Sequence, residues 1–153
     1  MHGVQETAMS KRKVSIGIGD VALRRLDELG RESGESRSAA AARLVEEGLR
    51  MARHPGIVFR DGATGRRPAL ADGPQVWVLA EIFREMPLDN TEAIERAADY
   101  TAALMELTRE QLSEAINYYL DYRDEIDEWI RRNDEAAEQA YAEWVRKQEL
   151  ARA

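Results

Sequence analysis

The run Lys13-Val14-Ser15-Ile16-Gly17-Ile18 alternates apolar side chains at 14, 16 and 18 with small or basic ones at 13, 15 and 17. That period of two predicts a half-buried strand. A lone strand leaves its backbone donors and acceptors without a ladder, so it requires a partner. Two short amphipathic patterns follow it, split at Gly34, and the stretch from Lys11 to Arg50 is too short to enclose a core of its own. The economical arrangement is two copies paired strand against strand, with a two-stranded ribbon lying outside a four-helix core. A ribbon of that width fits the major groove of DNA.

The helical patterns are specific enough to place side chains. Asp20 after Gly19 is the expected N-cap of the first helix, and Ala22, Leu23, Leu26 and Leu29 recur at helical spacing to form its inner stripe. Gly34 is the expected stop. Ser36 opens the second helix, whose inner stripe is Ala41, Leu44, Val45, Gly48 and Leu49, with Gly48 allowing a close helix approach. The expected dimer core is therefore Val14, Ile16, Ile18, Leu23, Leu26, Leu44, Val45 and Leu49.

The run Lys11-Arg-Lys-Val-Ser-Ile-Gly-Ile18, the helix 21–34 and the cap Ser36-Arg37-Ser38 together resemble the ribbon-helix-helix repressors, over about the first third of the chain. The resemblance implies that Lys13, Ser15 and Gly17 lie on the exposed ribbon face. Lysine donates to guanine O6 or N7, and serine reads several bases. Gly17 departs from the family, which usually carries a longer polar residue there, and so leaves fewer base contacts per subunit. A second DNA-facing group is the start of the second helix, where free amides and the side chains of Ser36, Arg37 and Ser38 suit a phosphate. Lys11 and Arg12 add sequence-independent phosphate attraction. The plain alternatives are a solvated basic terminus and an ordinary serine cap.

The net charge of −7 argues against DNA only until it is divided along the chain. Residues 1–60 hold 11 Lys+Arg and 8 Asp+Glu, a balance of +3, and the rest hold 11 and 21, a balance of −10. A basic head on an acidic body suits a nucleic-acid-binding unit joined to a partner-binding one, or acids that merely keep the body solvated.

Four parts follow from the composition shifts. Residues 1–10 read as a flexible tail, 11–53 as the DNA-binding head, 54–133 as a β-hairpin plus helical domain, and 134–153 as an acidic amphipathic helix. Helix propensity stops at His54-Pro55. Ile57–Arg60 and Arg66–Leu70 flank a glycine-containing loop, as in a hairpin. Helical patterns occupy about 74–86, 91–104 and 108–121. A long final one runs from about 123 to 150, with Ile126, Trp129, Ile130, Ala137, Tyr141 and Trp144 along one side. The expected class is mainly α.

The segments His54-Pro-Gly-Ile-Val-Phe-Arg-Asp-Gly and Gly-Arg-Arg-Pro-Ala-Leu70, then Gln75-Val-Trp77, Leu107-Thr-Arg-Glu-Gln-Leu112, Ala115-Ile-Asn-Tyr-Tyr119 and Glu125-Ile-Asp-Glu-Trp-Ile130, carry a second likeness. Residues 54–133 are similar to small domains of unknown function related to the antitoxins paired with PIN-like ribonuclease toxins. That resemblance implies a role and no particular working residues. Trp129, Tyr141, Trp144 and Val145 are the expected partner-binding side chains, on a helix suited to groove docking or to self-association. Arg66 and Arg67 either stiffen the hairpin against Asp61 or Asp72 or touch DNA beside the head.

Catalysis has little to stand on. His54 is one of 2 histidines and reads as a turn residue, and no second histidine stands at ligand spacing. Asp124, Glu125, Asp127 and Glu128 are near-consecutive on a helix and diverge, which reads as a solvated face. Gly17-Ile-Gly19 lacks the glycine spacing of a nucleotide fingerprint. With no cysteine, disulfides and thiol chemistry are excluded. No apolar run of about 18 residues occurs, and residues 1–10 lack the basic start and apolar centre of a secretion signal, so a cytoplasmic protein is expected. No metal, cofactor or membrane is expected.

The sequence thus predicts a homodimeric ribbon-helix-helix repressor acting as an antitoxin: it binds its own operator on double-stranded DNA and neutralises a PIN-like toxin. The alternatives are a transcription regulator with an effector-binding or oligomerisation domain and no toxin partner, and an assembly protein whose ribbon serves only dimerisation.

Overall fold

The computed structural model describes residues 11–153. The expected flexible tail, residues 1–10, lies outside the described residues. Six helices and one hairpin follow in the order α1 (Asp20–Ser33), α2 (Arg37–Arg53), β1 (Ile57–Gly62), β2 (Gly65–Leu70), α3 (Val76–Phe83), α4 (Thr91–Met105), α5 (Arg109–Asp121) and α6 (Arg123–Ala151). The mainly helical class expected from the sequence is present. The described residues fall into two compact units, one ending at Val45 and the other running from Glu46 to Ala153, so the division lies within α2.

In the first unit, residues 11–19 form no strand. The physical reason is the one that made a lone strand improbable: within a single chain the segment has no ladder to join. Helix α1 differs from expectation at its start. Gly19, in extended backbone, is the N-cap, and Asp20 is the first helical residue, where its charge complements the positive end of the helix dipole. Its end is as expected. Gly34 adopts φ 71° and donates its N–H to the Gly30 carbonyl, which also accepts from the Glu35 amide at 2.8 Å. A left-handed residue at this place favours glycine because it has no Cβ to strain.

Leu26 and Gly30 are buried on α1, with Leu23 and Leu29 half-buried, whereas Ala22 is exposed. The close approach falls at Gly30 rather than Gly48. A Cβ on Gly30 would stand 2.8 Å from the Glu35 carbonyl oxygen, whereas one on Gly48 would meet nothing within 4 Å. Ser36 Oγ accepts from the Ala39 amide at 3.1 Å, which satisfies one of the orphan donors at the start of α2. On α2, Ala40 is buried and Ala41 half-buried.

The second unit is built round α5, which packs on α3, α4, α6 and both strands. Leu112, Ala115, Ile116, Tyr118 and Tyr119 on α5 meet Ile57 and Leu70 from the hairpin, Leu79 and Phe83 from α3, and Ile126 and Ile130 from α6 in one apolar cluster. The hairpin is antiparallel with Ile57 opposite Leu70 and Gly62 opposite Gly65, leaving Ala63 and Thr64 as its loop. Asn90 caps α4 by accepting from the Ala93 amide, and Thr108 with Gln111 forms a capping box on α5.

Helix α6 has 29 residues and therefore runs about 44 Å. Ile126 and Ile130 are buried and Trp129 is half-buried, but from Arg131 onward every residue is exposed except Asn133 and Val145, which are partly covered. Among the described residues, no helix is long and apolar enough to cross a membrane.

Candidate nucleic-acid interface

Lys11, Arg12, Lys13, Ser15 and Gly17 all lie exposed in the segment before α1. Their apolar neighbours are exposed too: Val14 is 78% exposed, Ile16 65% and Ile18 45%. Val21, Leu44, Val45 and Leu49 are likewise open to solvent. A run of apolar side chains along one short stretch, with more on the two helices that follow, is more apolar surface than a lone soluble unit ordinarily leaves uncovered. Of the expected dimer core, only Leu26 is buried within the single chain and Leu23 half-buried.

The start of α2 presents Ser36, Arg37 and Ser38, all exposed. Its first amides point out of the helix end with the positive pole of the dipole behind them, a geometry suited to an anion. Arg37 is not idle there. Its guanidinium makes a two-pronged pair with Asp27 of α1, Nε and Nη2 each 2.8 Å from a carboxylate oxygen. The donation from Arg37 holds the Asp27 carboxyl below the usual range and raises Arg37 in turn. For Arg37 to clamp a phosphate it must exchange this exposed pair, which costs little in water. Beside it, Arg43 of α2 donates to Glu35, tying the helix to the turn that precedes it.

Arg66 and Arg67, in the second unit, divide their roles. Arg66 lies against the buried carboxylate of Glu47 on α2 and within 3.5 Å of Asp61 across the hairpin. The pair with Asp61 is one the sequence anticipated, but Glu47 is not. Arg67 lies over the Trp129 ring at 4.7 Å and within 5.9 Å of Trp77, so Trp129 packs against the body under a cation. Burial lowers the Arg67 pKa, and the neighbouring Arg132 adds to the shift.

The polar knot at the end of α2 escaped the sequence reading. Arg50 donates to the Tyr118 hydroxyl at 2.9 Å and to Glu125 at 2.7 Å, and its guanidinium stacks 4.0 Å from the centre of the Tyr122 ring. Burial opposes the Arg50 charge, yet donation to Glu125 and Tyr118 outweighs it and raises the pKa overall. His54 is only 5% exposed, with Nε2 2.8 Å from Asp121 and its ring edge-on to Tyr118 and Tyr122. It is a turn residue, as expected, its carbonyl accepting from the Ile57 amide at 2.9 Å, and its ring is also wedged between aromatic rings, so little of it is left for a substrate to reach. The signal was present as Tyr118, Tyr122 and Glu125, spaced four and three apart, with Arg50 and His54 four apart on the facing segment.

The α6 carboxylates diverge as expected, but most are paired. Glu125 meets Arg50, Asp127 accepts from the Tyr119 hydroxyl at 2.8 Å, and Glu128, held down to about 2 by donation from Arg131 and then Arg132, sits between both arginines. Among the described residues, no group of three or more acidic or histidine side chains is placed to hold a metal ion. No protein-family model, curated protein or solved structure matches this chain.

Burial pushes the Tyr118 phenol up to about 12 from an ordinary 10.0, although donation from Arg50 favours the phenolate. A pKa raised in the folded state gives stability that is complete below the unfolded value and lost as pH rises through the folded one. Denaturant midpoints are therefore expected to hold up to about pH 10 and to fall between about pH 10 and 12. Tyrosinate absorbance of the folded protein should show a late-ionising population that shrinks in Tyr118→Phe. Ionisation of every tyrosine near 10 would refute the burial account.

Proposed function

We propose that this protein is a dimeric DNA-binding transcriptional repressor of antitoxin type, with an operator-binding head and an acidic body that docks a toxin. The observation that carries the reading is the coincidence of alternation and exposure at Val14, Ile16 and Ile18, immediately after the basic run Lys11-Arg12-Lys13. Pairing two such segments supplies the missing ladder and covers the three side chains on one face. It also turns Lys13, Ser15 and Gly17 outward as a groove-reading face.

The same pairing gives Val21, Leu44, Val45 and Leu49 apolar surface to meet. The Ser36–Ser38 helix start, duplicated by the two-fold, then offers one phosphate clamp on each flank of the ribbon. Gly17 brings no side-chain contact, so base reading rests on Lys13 and Ser15 while affinity rests on phosphates. Binding of this kind is steeply salt-dependent.

The antitoxin half rests on the resemblance of residues 54–133 and on the −10 balance of residues 61–153. A ribonuclease toxin grips polyanionic RNA with a basic cleft, and an acidic body approaches such a cleft with favourable steering.

Fluorescence anisotropy on DNA from upstream of the protein's own gene, against scrambled DNA across a salt series, tests the reading. Preference for the native DNA and a steep loss of affinity with salt are expected. Lys13→Glu should weaken binding by about tenfold or more, the scale of one lost base contact, and leave the oligomer intact. Weak, equal binding to both DNAs would reduce the ribbon to a dimerisation device. Co-elution with the neighbouring gene product on size exclusion is expected as well, and its failure would remove the antitoxin half alone.

A further inference from the structure

The distal part of α6 is a long, exposed helix with a continuous stripe. Ile126, Ile130, Asn133, Ala137, Tyr141 and Trp144 succeed one another at steps of four, three, four, four and three, so they share one face. The first two of these pack into the body, and the stripe then continues past it uncovered. Tyr141 is 66% exposed and Trp144 56%, their rings stacked on each other 6.0 Å apart. A projecting helix with large aromatics on its open face lacks the surface that would justify them.

The charges flanking the stripe indicate what covers it. Residues 134–143 contain four acids (Asp134, Glu135, Glu138 and Glu143) and no base, whereas residues 144–153 contain three bases (Arg146, Lys147 and Arg152) against Glu149 alone. A second copy laid parallel would set acid on acid and base on base. Laid antiparallel, each acidic half meets a basic half.

A two-fold also brings each edge of a helix against the same edge of its mate. Glu138 and Arg152 share one edge of the stripe, and Glu143 and Lys147 share the other. In the register centred on Val145, Glu138 stands across from Arg152 and Glu143 across from Lys147, so both edges are complementary at once. Small Ala137 and Ala140 leave room beside the aromatic pair for close helix approach. We infer that α6 of one copy pairs antiparallel with α6 of a second, closing over Tyr141 and Trp144. This is a self-association site separate from the head, and it stands or falls without reference to DNA.

The chain has no cysteine, so single cysteines report the register without background. Full-length Glu138→Cys and Arg152→Cys proteins, alone and mixed, are oxidised gently beside Glu135→Cys, which lies on the opposite face of the helix. The mixture should cross-link several-fold faster than either variant alone. Adding Trp144→Glu should return it to the Glu135→Cys rate, while circular dichroism shows the helix retained. Preferential cross-linking of Glu138→Cys to itself would mean parallel pairing and overturn the inference. So would uniform rates equal to the control, or protection of the helix by a different protein without self-cross-linking.

Discussion

The guanidinium of Arg50 holds the last turns of α2 to the helical body. It donates to Tyr118 on α5 and Glu125 on α6 and lies over the Tyr122 ring at their junction, so the end of α2 and the distant α5–α6 junction meet at one planar cation. A half-buried cation is costly unless an anion is close, and here the Glu125 carboxylate stands 2.7 Å away while Tyr118 accepts a second hydrogen bond. His54 and Asp121 complete the packing beside it, which fixes the exit of α2 and the point at which the hairpin begins. The apolar cluster round α5 supplies most of the body's stability, while this knot decides where α2 ends against it.

The two units meet different physical demands. The body buries large apolar side chains among its own helices and hairpin, with caps at Asn90 and Thr108 that satisfy the helix starts. The head instead leaves Val14, Ile16, Ile18, Leu44 and Val45 open while investing in polar ties, Arg37 with Asp27 between its helices and Arg43 with Glu35 in the turn that joins them. Polar ties orient two helices but do not cover apolar area. On the proposed reading, a unit so small gains the rest of its core from a second copy of itself.

Much of this was legible from periodicity. The hairpin, the four helices after it and the Gly34 stop follow from spacing and turn chemistry, because each is decided within a few residues. What periodicity does not mark is decided by packing and by backbone geometry. Glu47, which no spacing singles out, is buried against Arg66 on the hairpin. Gly30, which no spacing singles out, lies under the Glu35 carbonyl, whereas Gly48, predicted to permit close approach, faces open space. Asp20 was displaced by one position because Gly19 already has the extended backbone an N-cap needs. The 13–18 alternation forms no strand within one chain, and the proposed dimer is what would give it a ladder.

The central claim is that two copies join through that alternating segment. Hydrogen–deuterium exchange of the 13–18 amides, followed across a dilution series of the full-length protein, tests it most directly. The account predicts protection at high concentration that vanishes on dilution in step with the loss of the dimer, as ladder hydrogen bonds form only between copies. Fast exchange at these amides at every concentration, with the oligomer still assembled, would contradict it.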